Sequence, residues 1–388
     1  MTKARTCPGR APGRPMTFGG LTPFILIASA ALACSDSIAH GPSAASDAGV
    51  CNAAADAATT VQDAAAPVAG DAKAAILSAF SGHAIVGGMS PAHGSKAADD
   101  FILDLIRSPA LTETVNDIAI ECGNALYQEV LDRYVAGEPV GLAEVSQVWR
   151  NTTQPSCRFA TFYEQLIPLV RRINQRVSPE RRMRVLACDP PLDWTKVDSP
   201  DDLEPFTARA ESIASVLESQ VLSRNRKALA LFGVAHLRHG GGAVGIYELK
   251  YPRSTFTIAD HRGFGNGTPL SNDNDELEKK MSSWTVPSMV PIKGTWLADL
   301  DAAYFDGRAQ PGATKGYPGV DGYLYLGRRD DLLRQPASSR AIVDEAFLTE
   351  LRRRALALQA PPDSPMHPEV VFQRESESSV FFFGPTSP

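Results

Sequence analysis

The sequence predicts an α/β domain: a mostly parallel sheet with helices on both faces, followed by an irregular C-terminal extension. Short apolar runs recur at His83–Gly88 (HAIVGG), Ile118–Gly123 (IAIECG), Arg184–Asp189 (RVLACD) and Lys227–His236 (KALALFGVAH). Between them lie stretches with apolar residues three or four apart, and this alternation of buried strand and amphipathic helix marks βα units. The runs are apolar throughout rather than at every second residue, as in strands covered on both sides.

In chain order, Lys3, Arg5, Arg10 and Arg14 give a basic start with no acidic residue, and residues 21–33 (LTPFILIASAALA) follow as an apolar core. This is the layout of an export signal over residues 1–33. The core is shorter than the roughly 20 apolar residues a spanning helix needs. Ala31 and Ala33 supply the small residues that cleavage requires, and Cys34 comes next. Two routes fit: lipidation of Cys34, which would tether the protein to a membrane from the periplasmic side, or simple secretion. Residues 34–72 are mostly Ala, Asp, Ser and Gly and are expected to form a disordered tether, because they cannot bury enough surface to offset the entropy of ordering.

The domain is expected over residues 73–360, with helices at Lys96–Arg107, Ala125–Ala136, Phe159–Gln175 and Asp201–Ser223. After His236 the pattern loosens. Gly240–Ala243 and Asn266–Glu276 are turn-rich, with candidate strands at Ile246–Tyr251, Thr255–Ala259 and Gly322–Leu326. Ile342–Leu358 reads as a last amphipathic helix with its basic residues late, as the helix dipole favours. Residues 361–388 are Pro- and Ser-rich and read as a flexible tail, with one apolar run at Val380–Phe383.

A formal net charge of −6 excludes nucleic acid as the main partner. A small-molecule ligand or substrate is the expected partner. Of the six cysteines, Cys7 goes with the signal and Cys51 lies in the tether. Cys122, Cys157 and Cys188 fall in the domain, and their spacing leaves the pairing open. No CxxC occurs, so neither a cysteine zinc site nor covalent haem attachment is indicated.

Chemistry-bearing residues gather at the ends of the predicted strands: His93, Glu121, Asp189 and His236. In a parallel sheet they converge on the carboxyl edge, where ligands bind. This pattern suits a histidine acting as general base to a water, held by Glu121, with Arg150 or Lys96 stabilising an oxyanion. Asn124 and His239 are further candidates for the pocket lining. The structural alternative pairs Glu121 with an arginine and has His93 cap the following helix. A rival reading takes Gly88-Met89-Ser90-Pro91-Ala92 as a Gly-x-Ser-x-Gly nucleophile elbow lacking its last glycine, with Ser90, Asp189 and His236 in α/β-hydrolase order. In the plainer reading, Ser90 and Pro91 shape a turn.

The ordered motifs HGSKAADDF (from His93), IAIECGNALYQEVLDRYVAGE (from Ile118), VWRN (from Val148), RVLACDPPLDW (from Arg184) and LFGVAHLRHGG (from Leu231) resemble the erythromycin-esterase-like proteins of the wider ChaN/Tiki superfamily. The resemblance covers about residues 80–240. It implies that His93, Glu121 and His236 line one pocket. Gly233-Val234-Ala235-His236 is also similar to the Gly-x-x-His motif of Tiki-type metal-dependent proteases. One feature departs from the family: it carries Gly-Glu before its first histidine, whereas Gly87 to His93 (GGMSPAH) holds no acid. A hard metal prefers carboxylate oxygen, so the departure counts more against a metal site than against a histidine-based one. The motifs require no cofactor, and haem or a divalent metal stays open. Three functions follow: an exported hydrolase of an ester or related small substrate, a non-catalytic ligand-binding lipoprotein of the haem-binding kind, or a degenerate domain kept for protein contacts.

Overall fold

The computed structural model describes residues 68–261, 274–301 and 319–377. Within them one eight-stranded sheet forms from β1 (Gly70–Asp71), β2 (Ile85–Met89), β3 (Asp117–Asn124), β4 (Arg184–Asp189), β5 (Ala228–Phe232), β6 (Thr255–Asp260), β7 (Ser288–Pro291) and β8 (Gly322–Tyr325). The strand order is β1-β7-β8-β6-β2-β5-β3-β4. β8, β6, β2, β5, β3 and β4 run parallel; β7 alone reverses, being antiparallel to both its neighbours, β8 and β1.

Two glycines set the centre. A Cβ on Gly87 would stand 2.0 Å from the Ala230 carbonyl oxygen, and one on Gly88 would stand 2.0 Å from that of Ile258. Gly88 also takes a φ of 111°, which side-chain-bearing residues resist. The pair therefore lets β2 lie closely between β5 and β6 and turn sharply at its end.

Side chains alternate between the two faces. Val86, Ile118, Ile120, Leu229 and Leu231 pack under the helices Ala72–Ala79, Lys96–Arg107, Gln128–Ala136 and Thr161–Asn174. Ile85, Ala119, Leu186, Ala230 and Phe232 face Arg209–Gln220 and Gly242–Tyr247. Full burial of one such large side chain contributes about 1.5–3 kcal/mol, which explains why the strands read as continuous apolar runs.

Several expectations need correction. β5 ends at Phe232, and His236 lies on a one-turn helix, Val234–Leu237, rather than closing the strand. Ile246–Tyr251 is not a strand: Ala243, Val244 and Tyr247 are buried at helical spacing on Gly242–Tyr247. Of the turn-rich stretch expected at Asn266–Glu276, residues 274–276 belong to the helix Asn274–Met281, and residues 266–273 lie outside the described residues. Gly70–Asp71, at the end of the expected tether, pairs with β7, and Asp71 caps the first helix by accepting from the Ala74 N–H at 2.7 Å. The expected flexible tail carries the helix Pro368–Glu377, because Val371 and Phe372 find an apolar seat beside Phe159 and Phe347. Val380–Phe383, the signal, Cys34 and most of the tether lie outside the described residues.

Cys122 and Cys157 form a disulfide with Cα atoms 5.7 Å apart and a sequence separation of 35, and Cys188 is free and buried. Closing a loop of that length restricts the unfolded chain. Reduction is therefore expected to lower stability by about 3–4 kcal/mol. A urea midpoint unmoved by dithiol would contradict this.

Candidate functional site

Glu121 stands where the sheet splits. β3 pairs with β5 as far as Ile120, while its register against β4 jumps from Ile120↔Ala187 to Asn124↔Asp189. Four residues along β3 thus match two along β4, a bulge of the kind that re-aims side chains beside functional sites. The Glu121 carboxylate is 4% exposed, whereas the imidazoles above it are 24% (His93) and 23% (His236) exposed. His93 Nε2 lies 3.4 Å from Glu121 Oε2, and His236 Nε2 lies 3.4 Å from Oε1. The Gly233 N–H donates to Oε2 at 2.7 Å. Burial alone would raise the Glu121 pKa, but the positive charges of His236 and His93 outweigh it and hold the carboxyl well below its usual range.

His93 is presented by a backbone under tension. Met89, Ser90 and Ala92 adopt positive φ values of 63°, 36° and 63°. Each such conformation costs on the order of 1–3 kcal/mol and persists only where surroundings enforce it. Here Asp99 accepts from the Ala92 N–H at 2.8 Å, the Ser90 N–H donates to Phe232 O at 3.1 Å, and Gln335 N donates to Gly94 O at 2.7 Å. Ser95, not His93, caps the following helix.

Arg209, which sequence reasoning missed, completes the cluster. Its Nε donates to Asp189 Oδ1 at 2.7 Å, its NH2 reaches Glu121 Oε1 at 3.4 Å, and its NH1 lies 3.4 Å from His236 Nε2. Despite burial, Asp189 and Glu121 raise the Arg209 pKa. Asp189 is in turn held by the Thr153 N–H at 2.7 Å and by the Thr153 hydroxyl. Arg209 opens its helix, where a cation opposes the helix dipole, but the sequence places it inside the longer helical stretch Asp201–Ser223 and gives no signal of this.

His93, Glu121, His236 and Asp189 are therefore brought together, Asp189 through Arg209. Both oxygens of Asp189 are engaged by Arg209 and Thr153, and Asp189 does not reach His236 among the described hydrogen bonds, so the Ser90 triad is not assembled. The remaining candidates serve elsewhere. Lys96 pairs with Asp100 one turn along its exposed helix face. Asn124 donates to Asn151 O and Leu192 O, each at 2.7 Å, and accepts from Leu126 N, so its amide clamps loops. Arg150 binds Asp344 at 2.7 Å and stacks on Phe347, anchoring the C-terminal helices.

His239 belongs to a separate clip, 3.0 Å from Glu248 and 2.8 Å from Asp321. The Asp321 hydrogen bond, with that of Glu248, outweighs partial burial and pushes His239 up to about 9. A raised histidine stabilises the fold fully below its unfolded pKa of about 6.5 and loses that contribution as pH rises through the folded value. Screened by solvent, the loss is expected to be about 1–2 kcal/mol between pH 7 and 10. Urea midpoints should fall over that range in the native protein, and His239→Gln should remove the fall.

Among the described residues no group of three or more His, Cys, Asp or Glu side chains is arranged to hold a metal ion, and no helix is long and apolar enough to cross a membrane. Surface clefts of about 430 and 440 Å³ lie beside Glu218 and Asp100, and neither is lined by the Glu121 cluster. No family model and no curated protein matches the chain. A crystal structure of a Bacillus cereus protein is similar over 64% of this chain and 89% of its own, at 11% identity and a TM-score of 0.40.

Proposed function

We propose that the chain is an exported hydrolase of small carboxylic esters or related substrates in which His93 and His236, sharing Glu121, act on water and leaving group. The observation that carries this reading is the pair of part-exposed imidazoles over one buried carboxylate at the carboxyl edge of a parallel sheet. With Nε2–H turned to Glu121, the Nδ1 of His93 is left to accept a proton from water. The water oxygen bonds to the ester carbonyl carbon; the bond to the alkoxy oxygen then breaks, and His236 supplies the proton that oxygen takes. Arg209 is a positioning residue, since it joins Glu121, His236 and Asp189. The motif resemblance to erythromycin-esterase-like proteins favours an ester. The Cys122–Cys157 disulfide suits the oxidising compartment that the N-terminal signal implies. Haem ligation is the weaker reading, because both imidazoles turn Nε2 to Glu121 rather than leaving it for an iron.

A panel of small esters offered to the purified full chain should reveal turnover that His93→Ala abolishes, with no labelling of Ser90 by a fluorophosphonate. A wild-type protein that hydrolyses none of them, or a His93→Ala variant as active as wild type, would contradict the proposal.

A further inference from the structure

Arg158 is enclosed in the protein at 1% exposure, and Nε, NH1 and NH2 of its guanidinium have no hydrogen-bond acceptor among the described residues. Its described aromatic contact is the Trp194 ring, whose centre lies 5.4 Å from Arg158 Cζ and 4.6 Å from Arg354 Cζ. Arg354 is itself buried, at 3% exposure. Glu350 is the neighbouring carboxylate, but Arg353 binds it at 2.7 and 2.9 Å and Arg354 at 2.8 Å. Arg353 and Arg354 thus occupy this carboxylate and Arg158 has no bond to it; of the three guanidinium groups only Arg353 is well exposed to water.

A desolvated cation–π contact contributes on the order of 2 kcal/mol, whereas an uncompensated buried ion costs several. Water would supply acceptors but leave the charge. Nε of Arg150 likewise lacks an acceptor, and the Arg150 carbonyl receives the Arg354 NH1 at 3.1 Å, which draws these groups together under the helix Glu345–Ala357. From these observations we infer that Arg158 forms the wall of a buried binding site for a small monovalent inorganic anion of the halide class. Its binding would fasten the segment carrying Cys157 and Arg158 to the C-terminal helix. Burial, followed by the nearby Arg354, presses Arg158 down to about 9, and a bound anion acts in the opposite sense. The inference is independent of the hydrolase proposal.

The test uses the full chain moved from gluconate into bromide at constant ionic strength. Saturating bromide, at about 100-fold above Kd, should raise the melting temperature by roughly 4 °C. Arg158→Met should show no bromide-specific rise. Crystals grown in bromide should give an anomalous peak against the Arg158 guanidinium, a readout that needs no variant. An equal rise in both proteins, no rise in wild type, or water alone beside Arg158 in the bromide crystals would overturn the inference.

Discussion

Glu121→Gln is expected to lower kcat/KM for ester hydrolysis about 10³-fold, within the range by which positioned acid–base groups accelerate such reactions. The amide oxygen can still accept from the Gly233 N–H, so the loop stays in place. What goes is the negative charge between His93 and His236, which fixes both rings. The same substitution should alter acid stability. The folded pKa of Glu121 lies below its ordinary value of 4.5, so the carboxylate stabilises the fold fully above about that pH and loses this contribution as pH falls through the depressed value. Acid titration of the variant should therefore be flatter than that of wild type. Equal kcat/KM in the two proteins would remove Glu121 from the mechanism.

Arg209→Met is expected to be the most destabilising change, at about 3–5 kcal/mol, because it leaves Asp189, fully buried, with Thr153 alone. Activity should fall with it, since Glu121 and His236 lose a shared neighbour. Arg209→Lys should not restore either property: one ammonium cannot span Asp189, Glu121 and His236 as a planar guanidinium does. Adding Asp189→Asn to Arg209→Met should recover part of the stability by removing the stranded charge. Urea denaturation of the four proteins separates these outcomes, and a double variant no more stable than Arg209→Met would show that the lost pairing is not the cause.

The parallel core was legible because β2, β3, β4 and β5 are buried on both faces and interrupt the helical period clearly. Arg184–Asp189 and Lys96–Arg107 run to their expected ends, each with a chemical reason: Ser95 caps one, and Asp189 turns into the site. Strand-end reasoning likewise located His93 and Glu121. It placed His236 one turn too early, because an apolar Val-Ala before a histidine looks the same in a strand as in a single helical turn. Lys96 lies three residues from His93 and Arg150 lies in the VWRN motif, yet neither reaches the site. Their partners, Asp100 on the same helix face and Asp344 at a separation of 194 residues, are properties of side-chain direction and of tertiary packing. Arg209 was hidden inside an amphipathic segment, where an arginine ordinarily faces water. The packing of Phe372 beside Phe159 was equally invisible, since Pro and Ser around a short apolar stretch look the same whether or not a seat exists for it.

Whether His93 and His236 work through one carboxylate as a unit is tested most directly by a double-mutant cycle of kcat/KM over His93→Ala and Glu121→Gln. Groups acting as a unit are strongly non-additive. The double variant should be about as impaired as the worse single variant, with unfolding midpoints confirming that all three proteins are folded. Losses that multiply, or a full-activity single variant, would contradict the account.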